Sequence, residues 1–134
     1  VTAYALLEHL AKPQEFLGQV TGLVNQKGVL VIMIPSYQTL KAKTLEMFNV
    51  RWHMYCPPEH LSLYSRQFLD SYLKARGFNL IKRKYTSGGM FNPFQKIPLA
   101  RNVFTKMMSL VDANSIFNQF PAFDHMYSYY QYLG

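Results

Sequence analysis

The stretch VLVIMI, residues 29–34, is the clearest structural signal in the chain. An unbroken apolar run rich in branched side chains, without polar alternation, is typical of a strand that is covered on both faces, as in a parallel sheet. Gly28 precedes the run and Pro35 follows it, so both of its ends are marked. The run is far shorter than the roughly 20 apolar residues that a membrane-spanning helix needs. It therefore predicts a buried strand.

The sequence before this strand predicts a helix and, earlier still, the end of another strand. Residues 13–24 (PQEFLGQVTGLV) carry apolar side chains at helical spacing, with Pro13 suited to the first turn and Glu15 to the positive end of the helix. Residues 1–10 (VTAYALLEHL) run from small apolar residues into titratable ones, as expected at the exit of a strand that starts upstream. The order strand, helix, glycine turn, buried strand is the second half of a βαβ unit.

The sequence after the buried strand predicts further helices and strands. Ser65 suits the N-cap of a helix over residues 66–76, and Gly77 suits the position that follows its last turn. The other predicted elements are a helix over 37–48 and strands over 78–85 and 125–133.

The domain organisation follows from these elements. Residues 1–87 and 125–134 are predicted to form one α/β unit, and residues 88–124, rich in Phe, Asn and Pro, to form an insertion or lid. The 134 residues suit about one domain. With 49% hydrophobic and 16% charged residues, the chain has a globular composition.

The cysteine content and the net charge limit the kinds of site and partner that the chain can have. Cys56 is the one cysteine, so neither an internal disulfide nor a cysteine cluster for zinc can form, and a cytoplasmic location is expected. The net charge of +7 leaves nucleic acid, an anionic small molecule or no charged partner open. The densest basic stretch, residues 82–84 (KRK), suits a solvated strand face or an RNA contact.

Two short motifs carry a resemblance to a known family. The first is Leu7-Glu8-His9-Leu10 followed by a Pro-led helix and the turn before VLVIMI, and the second is Pro58-Glu59-His60-Leu61 followed by Tyr64-Ser65 and Gly77-Phe78. Both resemble class I S-adenosylmethionine-dependent methyltransferases, in the branch that acts on sugars, quinones and similar small molecules. The resemblance implies the C-terminal half of a Rossmann-like sheet, mostly parallel with an antiparallel closing strand, whose cofactor-binding strands lie upstream of Val1.

The resemblance also implies a reaction and a cofactor. The expected activity is methyl transfer from S-adenosylmethionine to a hydroxyl or carbon of a small-molecule acceptor. The Gly-rich loop and the acidic residue that hold this cofactor in the family are not found in this sequence, so the 134 residues alone are expected to be inactive. Ala3, Tyr4 and Leu7 are the residues expected to border the cofactor.

The same resemblance nominates acceptor-site residues. His60 is expected to act as a general base with Glu59 as its orienting partner, and His53 and Tyr55, in the same loop, are expected to contact the substrate. In each case a structural role stays open: His60 as a clamp bonded to the backbone, and Trp52, beside His53, as a packing anchor.

Glu8 and His9 are expected at the rim of the active site, where they would bind substrate. The alternative is that Glu8 caps the following helix and that His9 packs beneath it. In a ubiquinone-biosynthesis branch a similar turn binds a divalent metal through an extra acidic residue three positions earlier. That position is Ala5 here, so no metal ion is expected.

Two other functions remain open at this point. The chain could be a non-enzymatic binding or dimerisation module, which pairs through open strand edges with the missing N-terminal half or with a second copy. It could also be half of an RNA methyltransferase, as its positive charge allows.

Overall fold

The structure is a computed structural model. It describes residues 1–86, short pieces of the following segment (98–99, 102–103, 106–107 and 110), and residues 119–121 and 123–134. Most of the predicted insertion or lid, residues 88–124, lies outside this part of the chain.

Four strands and three α-helices make up the described fold, and each has a counterpart in the sequence prediction. The helix predicted over residues 13–24 ends earlier, and that over 37–48 begins later. The elements are β1 (Thr2–Tyr4), a 3-10 turn (Leu7–His9), α1 (Pro13–Thr21), β2 (Val29–Pro35), α2 (Leu40–Met47), α3 (Arg66–Lys74), β3 (Phe78–Thr86) and β4 (His125–Tyr132).

The strands form one mixed sheet in the order β1-β2-β4-β3. β1 pairs with β2 in parallel, whereas β4 pairs antiparallel with both β2 and β3. Three strands run one way and β4 runs the other, so the sheet is mixed, and the predicted antiparallel closing strand is confirmed. The closing strand lies inside the sheet, between β2 and β3.

One face of β2 is fully buried and the other is only partly covered. Leu30, Ile32 and Ile34 are 0% exposed and pack in one core with the apolar faces of α1 and α3. Val31 and Met33, which point to the opposite face, are half-buried. The expectation that β2 is covered on both faces is therefore wrong for the described residues, because α1 and α3 lie on the same side of the sheet.

The start of α3 confirms the predicted N-cap, whereas the helix ends at Lys74, two residues before the predicted end. The hydroxyl of Ser65 accepts a hydrogen bond from the backbone N–H of Phe68 at 3.1 Å. Gly77, after the last turn, has a φ of +81°, a backbone conformation that residues with a Cβ rarely adopt. A Cβ at this position would also lie 3.0 Å from the ring of Tyr132. These two residues therefore fix where α3 starts and where the chain turns into β3.

A buried carboxylate, that of Asp124, ties α2 and the following loop to the start of β4. Asp124 is 0% exposed; its Oδ1 accepts a hydrogen bond from Trp52 Nε1 at 2.8 Å, and its Oδ2 pairs with Lys41 Nζ. Its main-chain carbonyl accepts the backbone N–H of Ser36 at 2.8 Å. Trp52, 8% exposed, is thus the packing anchor that the sequence suggested.

Loss of this carboxylate should destabilise the fold strongly. In Asp124→Ala the buried indole N–H of Trp52 and the ammonium group of Lys41 both lose the carboxylate, and we expect the free energy of unfolding to fall by about 3 kcal/mol. Glu15→Ala is the control, because Glu15 pairs with Lys12 in an exposed bridge that contributes less than about 1 kcal/mol. Urea denaturation of both variants checks the difference, and equal losses would contradict this role of Asp124.

Two histidines should make the fold less stable on mild acidification. Burial lowers the pKa of His125 below its usual value of 6.5, and partial burial lowers that of His53, although Asp124 opposes both effects. The unfolded chain therefore takes up protons that the folded chain does not, and the free energy of unfolding decreases as the pH falls below 6.5.

Denaturant melts from about pH 7.5 to about pH 5.5 measure this dependence. His125→Gln should flatten it by removing one of the two groups. An unchanged slope in that variant would mean that His125 does not contribute.

Candidate functional site

The exit of β1 brings titratable side chains to the carboxyl edge of the sheet. Ala5 follows β1 with φ at 45°, in the left-handed region that costs a residue with a Cβ roughly 1–2 kcal/mol. Its N–H donates to the carbonyl of Met33 on β2 at 3.0 Å, which holds the turn in place. The chain then enters the 3-10 turn that contains Glu8 and His9. Because β1 and β2 are parallel, both residues lie beyond the carboxyl ends of two adjacent strands.

The loop of residues 51–64 is fastened to this turn by main-chain contacts. The carbonyl of Glu8 accepts the backbone N–H groups of Leu61 at 2.7 Å and Ser62 at 3.2 Å. The hydroxyl of Tyr64, which is buried, donates to the carbonyl of Leu7 at 2.9 Å. Two segments about fifty residues apart in the sequence are therefore held together.

This fastening creates a three-residue group, the Glu8–His9–His60 cluster. One carboxylate oxygen of Glu8 and one ring nitrogen of each histidine lie within 4.8 Å of one another. The two imidazole rings meet edge to face, with their centroids 4.8 Å apart. The structure thus brings together a residue from each of the two sequence motifs, together with the neighbouring His9.

The side chain of Glu8 is buried, and one of its carboxylate oxygens has no hydrogen-bond partner among the described residues. Glu8 is 2% exposed, and the oxygen in question is Oε2. Desolvation raises the pKa of this carboxyl above its usual value, and the nearby histidines act in the opposite direction. The helix-capping alternative for Glu8 is wrong, since α1 has Lys12 at its N-cap and no side-chain cap there.

Both histidines are oriented by main-chain carbonyls. Nδ1 of His9 lies 2.7 Å from the carbonyl oxygen of Glu59, and Nδ1 of His60 lies 2.6 Å from that of Met54. A carbonyl only accepts, so each Nδ1 carries a proton, and in the neutral form of either ring the lone pair lies on Nε2. His60 is therefore oriented by Met54, as in the backbone-clamp alternative. Glu59, expected to orient His60, instead contributes its main-chain carbonyl to His9.

His53 and Tyr55, the other predicted substrate residues, lie outside the cluster. Nε2 of His53 is 3.8 Å from Asp124 Oδ2. Tyr55 is exposed, and the centroid of its ring lies 5.8 Å from Cζ of the Arg51 guanidinium. Tyr55 lines a cavity of about 450 Å³ between α2 and the 51–64 loop. Sequence patterns did not indicate this cavity. It is also lined by Tyr37, Ala42, Glu46, Asn49, Val50, Arg51, Trp52 and Leu63.

The residues predicted to border the cofactor divide into two groups. Ala3 and Leu7 are 3% and 0% exposed, and their side chains belong to the core. Tyr4 is 53% exposed and makes an edge contact with Tyr127 of β4, so its ring faces the open side of the sheet. Among these three residues, only Tyr4 presents a side chain that a ligand could touch.

Comparison with known proteins decides the family. A family model described as a methyltransferase domain matches residues 1–83, which include β1, β2 and both histidines of the cluster. The chain belongs to the class I S-adenosylmethionine-dependent methyltransferase family. Its mixed four-stranded sheet with three helices is consistent with a partial Rossmann-like methyltransferase fold.

No curated protein gives a significant match to the chain. Within the described residues, no helix of this methyltransferase domain combines the length and apolar character needed to cross a bilayer.

The fastening of the loop can be tested at Tyr64. In Tyr64→Phe the carbonyl of Leu7 loses a buried hydrogen bond, and the free energy of unfolding should fall by about 1 kcal/mol. Tyr72→Phe is the matched control, because its hydroxyl bonds to the carbonyl of Gln14 at an exposed site and should contribute less. Thermal melts of the two variants compare them, and a larger loss in Tyr72→Phe would contradict the proposed fastening.

Proposed function

We propose that this chain forms the acceptor side of an enzyme that transfers the methyl group of S-adenosylmethionine to a hydroxyl or acidic carbon of a sugar-like or quinone-like small molecule. The observation that carries the proposal is the Glu8–His9–His60 cluster in a domain of methyltransferase type. Its position beyond the carboxyl ends of β1 and β2 is where ligands bind in open α/β sheets.

The proposed roles follow from the needs of methyl transfer. Displacement at carbon requires mainly that the two reactants be positioned, and a hydroxyl or acidic C–H acceptor also requires a base. Nε2 of His60 is the proposed proton acceptor, because the carbonyl of Met54 holds the ring and fixes the proton on Nδ1. The carboxylate of Glu8 stabilises the imidazolium that results, and Glu59 acts through its carbonyl on His9.

The cavity beside the 51–64 loop is proposed to hold the body of the acceptor; the Glu8–His9–His60 cluster does not line it, so the reacting group would have to extend from the cavity to the cluster. The volume of the cavity, about 450 Å³, lies in the range of small-molecule sites. Its wall combines the aromatic rings of Tyr37 and Trp52 with the polar groups of Arg51 and Asn49, a mixture that suits a ring carrying hydroxyl or carbonyl groups. Tyr55 and the neighbouring His53 would then contact the acceptor from the loop.

The cofactor would supply an electrophilic methyl group when bound. The exposed ring of Tyr4, beside the carboxyl end of β1, could contact the edge of the cofactor. The side chains of Ala3 and Leu7 are buried in the core. The sequence has no Gly-rich turn between a strand and a helix of the kind that holds this cofactor. We therefore propose that the 134 residues by themselves do not catalyse methyl transfer.

Part of the basic stretch in β3 is already engaged, which favours a small molecule over RNA as the acceptor. The guanidinium of Arg83 bonds to both carboxylate oxygens of Asp70 and to the hydroxyl of Tyr130. Burial and these partners leave Arg83 only 15% exposed at its side chain. A phosphate backbone would have to displace an existing ion pair to reach it.

Replacement of His60 in the intact enzyme tests the proposal. His60→Gln removes the proposed base, and turnover with an acceptor from a panel of sugars, phenols and quinols should fall by at least about a hundredfold. Affinity for S-adenosylhomocysteine should stay within about twofold, because His60 is assigned to the acceptor side. His125→Gln is the control, since that half-buried histidine lies outside the cluster.

Radiolabelled methyl transfer measures turnover, and calorimetry measures cofactor affinity. Near-normal turnover in His60→Gln would remove His60 as the base. Failure of the intact protein to bind S-adenosylhomocysteine would overturn the methyltransferase proposal itself.

A further inference from the structure

We propose that Glu8, His9 and His60 together form a binding site for a divalent transition-metal ion of the Zn²⁺ type. This inference goes beyond the proposed methyl transfer, because it needs neither the cofactor nor the acceptor. It also replaces the sequence-based expectation that no metal binds. That expectation rested on Ala5, whereas the fold brings a third ligand, His60, from a distant loop.

The spacing of the three side chains is close to that of a coordination sphere. Their ligand atoms lie within 4.8 Å of one another, whereas ligands about 2.0–2.2 Å from a tetrahedral ion are about 3.4 Å apart. The bonds from the N–H groups of Leu61 and Ser62 to the carbonyl of Glu8 already hold the two segments together. Binding of an ion would therefore contract a site whose two segments are already joined.

The buried carboxylate of Glu8 supplies an independent indication of a ligand. Glu8 is 2% exposed. Its Oε2 is buried and has no hydrogen-bond partner among the described residues. A buried polar atom without a partner costs free energy, and native structures rarely leave one without a reason. A cation between Glu8 and the two imidazoles would satisfy this oxygen.

The contacts behind the two histidines match those of metal ligands. A histidine that binds a metal through one nitrogen usually donates its other N–H to a carbonyl or carboxylate, which fixes the ring. Here Nδ1 of His9 donates to the carbonyl of Glu59 and Nδ1 of His60 to that of Met54. Both rings therefore have Nε2 available, and both are oriented before any ion arrives.

The donor atoms select the class of ion. Two imidazole nitrogens and one carboxylate oxygen suit Zn²⁺ and its neighbours, whereas Mg²⁺ and Ca²⁺ prefer sites made of oxygen. Three protein ligands also leave one tetrahedral position for water or a substrate atom. We expect Zn²⁺ to bind more tightly than Mg²⁺ by several orders of magnitude.

Metal binding and base catalysis compete for the same lone pair. Nε2 of His60 is the proposed proton acceptor of methyl transfer, and an ion at the cluster would occupy it. Zn²⁺ should therefore inhibit turnover, and a chelator should restore it.

Titration of the intact, chelator-treated protein tests the site. Zn²⁺ should bind with one ion per chain in calorimetry, and Co²⁺ should give the visible absorption of a tetrahedral complex. Glu8→Gln and His60→Gln should each weaken Zn²⁺ binding by at least about a hundredfold, because each removes a direct ligand. Glu15→Gln is the matched control, since it changes an exposed carboxylate that pairs with Lys12 and does not belong to the cluster.

The outcomes separate this inference from the proposed function. Absence of Zn²⁺ binding, or binding that is equal in the wild type and both ligand variants, would overturn the metal site. Circular dichroism confirms that each variant is folded, and His60→Gln gives a second test if Glu8→Gln is not. Affinity for S-adenosylhomocysteine, measured on the same samples, reports on the methyltransferase proposal alone.

Discussion

The parallel pairing of β1 with β2 is the constraint on which the site depends. Their hydrogen bonds set the two carboxyl ends side by side, and the carbonyl of Met33 on β2 holds the N–H of Ala5 just beyond β1. The chain must then turn sharply, at a left-handed backbone angle, before it enters the 3-10 turn. The pairing of the two strands therefore determines where the site lies, and Glu8 and His9 supply its titratable side chains.

Glu8 has two separate functions in this arrangement. Its main-chain carbonyl receives two N–H groups from the 51–64 loop, so it determines where His60 lies. Its side chain is buried beside that same histidine, and the backbone hydrogen bond and the two histidines offset only part of the desolvation cost, since Oε2 has no partner among the described residues. The structural role could be filled by many residues, because only the backbone takes part. The carboxylate therefore points to a chemical role, whether toward a proton or toward a metal ion.

The sequence predicted the elements of this fold better than it predicted the contacts between them. Ser65, Gly77 and the run in β2 act locally, through a hydroxyl, a missing Cβ and a continuous apolar stretch, and their effects can be deduced from neighbouring residues. The partner of His60 is a carbonyl set by loop shape, so no side-chain pattern could reveal it. The half-covered face of β2 and the cavity beside Tyr55 likewise arise from how distant segments pack.

The order of strands in the sheet has a consequence for how the protein is made. β2 and β3 follow one another among the strands of the sequence, yet β4, the last of the four to be synthesised, separates them in the sheet. Among the described residues β3 pairs with β4, so on the ribosome it has no strand partner in this sheet until residues 125–132 emerge. The sheet must therefore close late and through contacts distant in sequence, a route that is slow and leaves strand edges open in the meantime. Nascent chains of this domain are thus expected to depend on chaperones until β4 is inserted.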